Sequence, residues 1–348
     1  MTRILLVGPS WVGDMVMAQS LVAVLKAGRP DAVIDLVAPA WSGRLGPRLP
    51  GIAETIPIET AHGRLDFTHR LRFGRALRAR RYDEAYVLPN SWKSALVPFA
   101  ARIPRRIGYV GEFRYGLLND LRRLDRTALP RTVDRYAALG RPAAAPASAA
   151  PFPALSVDRD NGIAVAKRLG LPVGARTVAL CPGAEYGPAK QWPAPHFAAL
   201  ADLLARRGYA TWIFGSQKDG AIVEQIIARA DDLNPAARPA NLAGKTGLID
   251  AIDLLALCDA VATNDSGLMH VAAAIGRPLV AFYGSTVSSI NPPLTDKAVV
   301  LERTLPCRPC FKRVCPLGHL NCLNLIGAEE VAGHLVAQVE RTTSVSIA

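Results

Sequence analysis

Residues 257–284 read LCDAVATNDSGLMHVAAAIGRPLVAFYG and set a polar glycine turn between a buried strand and an apolar helix. Backbone N–H groups at a helix start lack intrahelical partners and sit at the positive end of the dipole, so Ser266 and Gly267 could receive a diphosphate. Asp265 could reach a sugar hydroxyl, and His270, four residues beyond Ser266, shares its helix face. The alternative is that Asp265 or Ser266 merely caps the helix, and that His270 is a core residue. Two other positions could carry charge through a reaction. Asp14, in GPSWVGDMV, follows a glycine turn at a helix start, where the dipole favours the carboxylate; it is a general base or a cap. Lys190, in CPGAEYGPAKQWP, precedes a helix expected to begin within 193–196 and is either a counter-charge for phosphate or an exposed loop lysine.

A third group is made of thiols. Cys307, Cys310, Cys315 and Cys322 are spaced C-x2-C-x4-C-x6-C with His319 inside, while Cys181 and Cys258 stand apart. That spacing matches no standard zinc or iron–sulfur pattern, so the expectation is no metal and either reduced packing cysteines or a redox-sensitive disulfide, the latter disfavoured in a reducing cytosol, with a metal cluster as the alternative. Neither reading makes the cluster catalytic.

Positioning these residues requires strands that end where the polar turns begin. In the first half, strands are expected at 4–7, 32–37, 84–88 and 106–109, with helices at 15–26, 67–80 and 92–101. In the second, strands are expected at 178–181, 210–214, 260–263 and 279–282, with helices at 195–207, 221–230 and 248–257. Strict alternation of this kind argues for parallel sheets covered by helices on both faces. The Pro/Ala-rich stretch 141–155 cannot build a core, and the domain boundary is placed there, giving domains 1–150 and 151–348 with the last helix free to pack back on the first. Ligands of open parallel sheets lie beyond the carboxyl ends of the strands. The motifs obey that rule: GPSWVGD, PNSWKS, PGAE and GSQKD each follow an expected strand.

Charge separates the halves. Residues 1–150 hold 23 Lys+Arg against 12 Asp+Glu, a surplus of 11, whereas the remainder holds 18 against 17. The basic half should meet an anion, either a substrate group or an anionic membrane surface. The run of arginines from Arg70 to Arg81 could equally be a solvated helix face. No aromatic RNA-binding signature or zinc-finger spacing accompanies it, so nucleic acid is not expected. No apolar run approaches the roughly 20 residues of a membrane span, and the start carries no signal-peptide pattern; a cytoplasmic chain is expected.

Taken together, GPSWVGDMV, LPNSWKSALVPF, RIGYVGEFRYGLLNDLR, CPGAEYGPAKQWP, NLAGKTGL, NDSGLMHVAAA and PCFKRVCPLGH, in order over residues 4–323, resemble glycosyltransferase family 9. The resemblance implies a GT-B fold, with two Rossmann-like domains facing across a cleft. It also implies an inverting transfer of heptose from ADP-heptose onto the first heptose of the lipopolysaccharide inner core, heptosyl-Kdo2-lipid A, at the cytoplasmic face of the inner membrane. No cofactor is implied, and a divalent ion is neither required nor ruled out.

In that frame Asp14 is the base and Lys190 neutralises departing ADP. Gly183, Ala184, Ser216, Asp265, Ser266, Gly267 and His270 line the donor site, with Leu242 packed on adenine. Trp11, Asn90, Ser91 and Lys93 would touch the acceptor, and Arg105, Arg106 and Arg114 its Kdo carboxylates and core phosphates. Rival readings are a first-heptose transferase and a nucleotide-sugar epimerase of the same fold, which would have no use for a basic half. A non-catalytic glycolipid-binding module is a third. A nicotinamide dehydrogenase is disfavoured because GPSWVGD replaces G-x-G-x-x-G.

Overall fold

The computed structural model describes residues 1–59 and 65–345. By their internal contacts these divide into two compact units, Met1–Ser156 and Val157–Ala348. The first unit runs β1 (Arg3–Val7), α1 (Val12–Gly28), β2 (Val33–Pro39), α2 (Ala40–Gly43), β3 (Glu54–Ile58), α3 (Phe67–Ala76), β4 (Glu84–Val87), α4 (Leu96–Ala100), β5 (Arg105–Tyr109), β6 (Asp120–Arg122) and α5 (Thr132–Leu139). All strand pairings are parallel, in the order β3-β2-β1-β4-β5-β6.

The second unit runs α6 (Arg159–Arg168), β7 (Thr177–Cys181), α7 (Ala194–Ala205), β8 (Ala210–Ile213), α8 (Gly220–Leu233), β9 (Ala240–Asn241), α9 (Leu248–Leu255), β10 (Ala260–Asn264), α10 (Gly267–Ala274), β11 (Leu279–Tyr283), β12 (Ala298–Glu302), α11 (Asn321–Asn324) and α12 (Ala328–Val345). Its parallel order, β12-β11-β10-β7-β8-β9, is the same doubly wound arrangement. Each sheet therefore reverses direction once, between β1 and β4 in the first unit and between β7 and β10 in the second.

The central strands are apolar on both faces, as strands sandwiched between helices must be; every residue of β7, β10 and β11 is buried. Around them lie two cores, one built on Leu5, Val7, Val87 and Val97 and the other on Trp192, Phe197, Ile213 and Phe282. Sequence patterning missed the helices α5 and α6 as well as edge strands and short pieces. β3 carries Pro57 and is half-exposed, and β6 has three residues of intermediate burial, so neither shows the apolar signature of the centre. The helix expected at 67–80 stops at Ala76 and tightens into a 3-10 turn, and 92–101 begins as a 3-10 turn before α4.

The Pro/Ala-rich stretch packs on the first unit down to Ser156. Ser20 Oγ donates to Pro151 O (2.7 Å), Ala154 N to Gln19 Oε1 (3.0 Å) and Ser156 N to Arg48 O (2.8 Å). α12 packs on α7, β10 and β11 of its own unit. Among the described residues, no helix is long and apolar enough to cross a membrane.

Candidate functional site

In the second unit the reversal point lies between the ends of β7 and β10, and one side chain stitches the two together. Asn264, last residue of β10 and fully buried, accepts from Trp192 N (2.9 Å) and donates to Pro182 O (2.7 Å). Trp192 is itself fixed by Phe282 and Phe197, at 4.5 and 4.8 Å between ring centroids, and by its Nε1–H to Ile326 O (3.0 Å). Lys190, two residues earlier, is thus held on a rigid turn.

Its ammonium donates to Asp265 Oδ2 at 2.6 Å, and the same oxygen accepts from Thr286 Oγ1 at 2.6 Å. The Tyr186 ring lies 4.9 Å from Lys190 Nζ, a cation–π contact, and the Tyr186 hydroxyl is anchored on Phe311 O (2.6 Å). Gly284 seats the whole turn: a Cβ there would stand 2.4 Å from Ala189 O.

The capping alternative for the Asp265–Ser266 turn is not what the structure shows. Asp265 turns to Lys190 and Thr286, and Ser266, the N-cap of α10, makes no side-chain cap bond. A fixed ammonium beside an uncapped helix N-terminus can receive a diphosphate leaving group. His270 is on this face of α10, 5% exposed, with Nδ1 lacking a hydrogen-bond partner. Burial pushes its pKa down to about 4; the Asp265 charge opposes that shift and the Lys190 charge adds to it, so the imidazole is neutral at pH 7.

Other expected donor contacts fall differently. Gly183 is required by close approach, since a Cβ would meet both Asp219 carboxylate oxygens at 2.8 Å. Ala184 is buried beside it. The Ser216 hydroxyl donates to Asp219 Oδ2 (2.8 Å) within a capping box, so it is engaged in the loop. Leu242 needs correction: at 2% exposure it is core, pinned by Leu242 N to Ile213 O (2.9 Å), and it offers adenine no open face.

In the first unit the reversal point opens into a hollow of about 320 Å³, formed by the loops after β1 and β4 and closed by α5. Asp14, in the first turn of α1, lines it with Trp11, Asn90, Arg126, Arg135 and Tyr136. Trp11 is 46% exposed at its rim. The Tyr136 phenol is held well above its ordinary pKa, first by burial and then by the Asp14 carboxylate, so it stays a proton donor. Arg126 is an exposed cation at this hollow, and sequence reasoning passed over it because nothing in RRLDRT marks one arginine from another.

Ser91 and Lys93 line a second cavity on the other side of the same loops. The three arginines expected to hold the acceptor's anions are instead committed to the fold. Arg114 is 1% exposed and donates to Pro89 O (2.6 Å), Asn90 Oδ1 (3.1 Å), Ser94 Oγ (3.4 Å) and Tyr109 O; burial lowers its pKa to about 10. Arg106 holds Leu117 O (2.7 Å) and Ile103 O (2.6 Å), and Arg105 bridges Glu84 (3.1 Å) and Asp120 (2.8 Å). An arginine near a binding loop often serves the loop's carbonyls, and sequence alone does not separate the two uses.

All six cysteines are free thiols; Cys307, Cys310, Cys315 and Cys322 border one small pocket. Among the described residues, no three His, Cys, Asp or Glu side chains are gathered so as to hold a metal ion.

A family model described as glycosyltransferase family 9 (heptosyltransferase) matches residues 70–321. Lipopolysaccharide heptosyltransferase 2 of Salmonella typhimurium is 48% identical over 306 residues, covering 86% of this chain and 88% of that protein. Lipopolysaccharide heptosyltransferase 1 of Pseudomonas aeruginosa is 25% identical, over 90% and 87% of the two chains. The structure of E. coli ADP-heptose lipopolysaccharide heptosyltransferase II superposes with a TM-score of 0.89 at 42% identity, over 98% of this chain and all of that one.

Proposed function

The chain belongs to glycosyltransferase family 9, and from that premise we propose that it moves heptose from ADP-heptose onto the first heptose of the lipopolysaccharide inner core, heptosyl-Kdo2-lipid A, releasing ADP. The observation that carries the reading is the Lys190 ammonium, fixed by Asp265 and Thr286 beside the uncapped start of α10. Charge builds on the diphosphate as the anomeric C–O bond breaks, and cations and N–H groups already in place stabilise it without reorganising. The identity to heptosyltransferase 2 proteins, 48% against 25% for heptosyltransferase 1, supports the second heptose over the first.

In this reading the second unit binds the donor and the first binds the acceptor. Asp14 accepts the proton of the attacking hydroxyl as the new glycosidic bond forms on the face opposite the leaving group, which inverts the anomeric carbon. Asn90 is held for the acceptor by Arg114, with Trp11 at the rim of the hollow. Peripheral contact with an anionic membrane surface accords with the basic surplus of residues 1–150 and with Phe113 and Tyr115, 87% and 64% exposed.

The test is incubation with ADP-heptose and deacylated heptosyl-Kdo acceptor, read by mass spectrometry. One added heptose supports the reading. Addition only to a heptose-free Kdo acceptor makes the protein a first-heptose transferase, and conversion of ADP-heptose without an acceptor makes it an epimerase.

A further inference from the structure

Among the arginines of the first unit, Arg70 is held in a way the chemistry above does not explain. α3 and the 3-10 turn that follows it bury the face formed by Arg70, Gly74 and Leu77, spaced four and three residues apart. Gly74 lets this face close on α4, for a Cβ there would stand 2.5 Å from Val97 O. One turn earlier, the same face carries a guanidinium in place of an apolar side chain, and Arg70 is only 9% exposed. Its Nε donates to Leu65 O (2.9 Å), and its terminal nitrogens make no hydrogen bond or ion pair among the described residues. Burial lowers its pKa, and the Asp66 charge only partly offsets that.

Arg114 shows what a structural arginine looks like in the same unit: 1% exposed, with four acceptors around it. Charges are rarely enclosed without a partner, because taking an ion out of water is costly.

Arg70 lines a cavity of about 190 Å³ at the carboxyl ends of β1 and β2, with Lys93, Ser91 and Trp41 on its wall. Ser10 and Pro89 border both this cavity and the Asp14 hollow, so the loops after β1 and β4 form a shared wall. Resting on the acceptor role of this unit, we propose that Arg70 anchors an anionic substituent of the acceptor, a carboxylate or phosphate on its core sugars, while the attacking hydroxyl lies at Asp14. A planar guanidinium whose two terminal nitrogens have no partner among the described residues suits such a group, which would supply one. Lys93 adds a second positive charge on the same wall, and Trp41, its Nε1–H tied to Ser10 O (2.7 Å), offers a flat apolar face to a sugar ring.

Steady-state kinetics of Arg70→Met and Arg70→Lys test this with three deacylated acceptors: intact, phosphate-stripped and carboxyl-reduced. Arg70→Met is expected to raise the KM for the intact acceptor roughly 10- to 100-fold, the range for a hydrogen bond to a charged group. The donor KM should stay within about twofold and Tm within about 4 °C, and Arg70→Lys should recover part of the loss. Loss of the mutant effect on the carboxyl-reduced acceptor identifies a carboxylate, and loss on the phosphate-stripped one a phosphate. An unchanged acceptor KM, an equal penalty on all three acceptors, or a Tm drop that accounts for the lost activity overturns the proposal. Failure of the wild type to transfer heptose refutes the transfer reading instead, and calorimetric titration of the same three fragments into wild type and Arg70→Met then decides Arg70.

Discussion

At the second unit's reversal point the charges are paired within the fold: Lys190 on Asp265, Asp265 on Thr286, with Asn264 tying the two loops beneath them. At the first unit's reversal point the arginines divide between two uses. There Arg114 serves the fold, while Arg126 is exposed at the hollow and Arg70, with Asp66 nearby, makes no ion pair among the described residues. One strand order thus supports two strategies. A site for one invariant diphosphate gains from a prearranged cation, because the electrostatic work of ordering it is done on folding. A site for a large multiply charged acceptor gains from a wall with several cationic positions, each matched by the ligand itself.

The largest expected effect belongs to Asp14. Asp14→Asn should lower kcat by roughly 10² to 10⁴ fold, the range for a lost general base, with ADP affinity intact by calorimetry. Near wild-type turnover would reduce Asp14 to a helix-start residue and leave the first unit without a base. Next comes Lys190→Ala, for which a kcat loss of about 10² to 10³ is expected, exceeding the rise in donor KM. A KM increase alone would mean that Lys190 binds ground and transition states equally, which shifts leaving-group stabilisation to α10.

A subtler change probes the prearrangement without touching any charge. Gly284→Ala places a methyl against Ala189 O and must shift the Lys190 turn, so kcat/KM for the donor should fall about tenfold, since misplacement by an ångström is costly. Unaltered donor kinetics would show that the turn need not be rigid.

The smallest effect is on stability. The folded-state pKa of His270 lies near 4, below its ordinary 6.5, so between these values the unfolded chain binds the extra proton. The contribution of His270 to stability is whole above pH 6.5 and is lost as pH falls toward 4, on the order of a few kcal/mol. His270→Gln should flatten that acid-side decline in urea melts at pH 7.5 and pH 5. An unchanged decline would place the acid sensitivity elsewhere.

By itself the sequence determined the layer architecture and the location of both reversal-point turns. Short doubly apolar runs such as ILLV and AVAT, alternating with helical segments, argue for central parallel strands, and the polar turns after them then lie at carboxyl ends. The places of Asp14 and of the Asp265–Ser266 turn were legible for that reason, whereas the roles expected of Asp14 and Lys190 came from the family resemblance. Edge strands β3 and β6 were not, because half-exposed strands carry no apolar signature.

What only the tertiary structure decided is the use of each polar side chain. Arg70 sits in a run that reads as a solvated helix face, yet the packing of Gly74 on Val97 turns it inward. Arg114, inside a recognisable motif, meets four acceptors that lie 5 to 25 residues away in the chain. Periodicity reports which face of an element is buried, but whether a buried charge has partners depends on atoms brought together from distant segments, and local sequence holds no record of those distances.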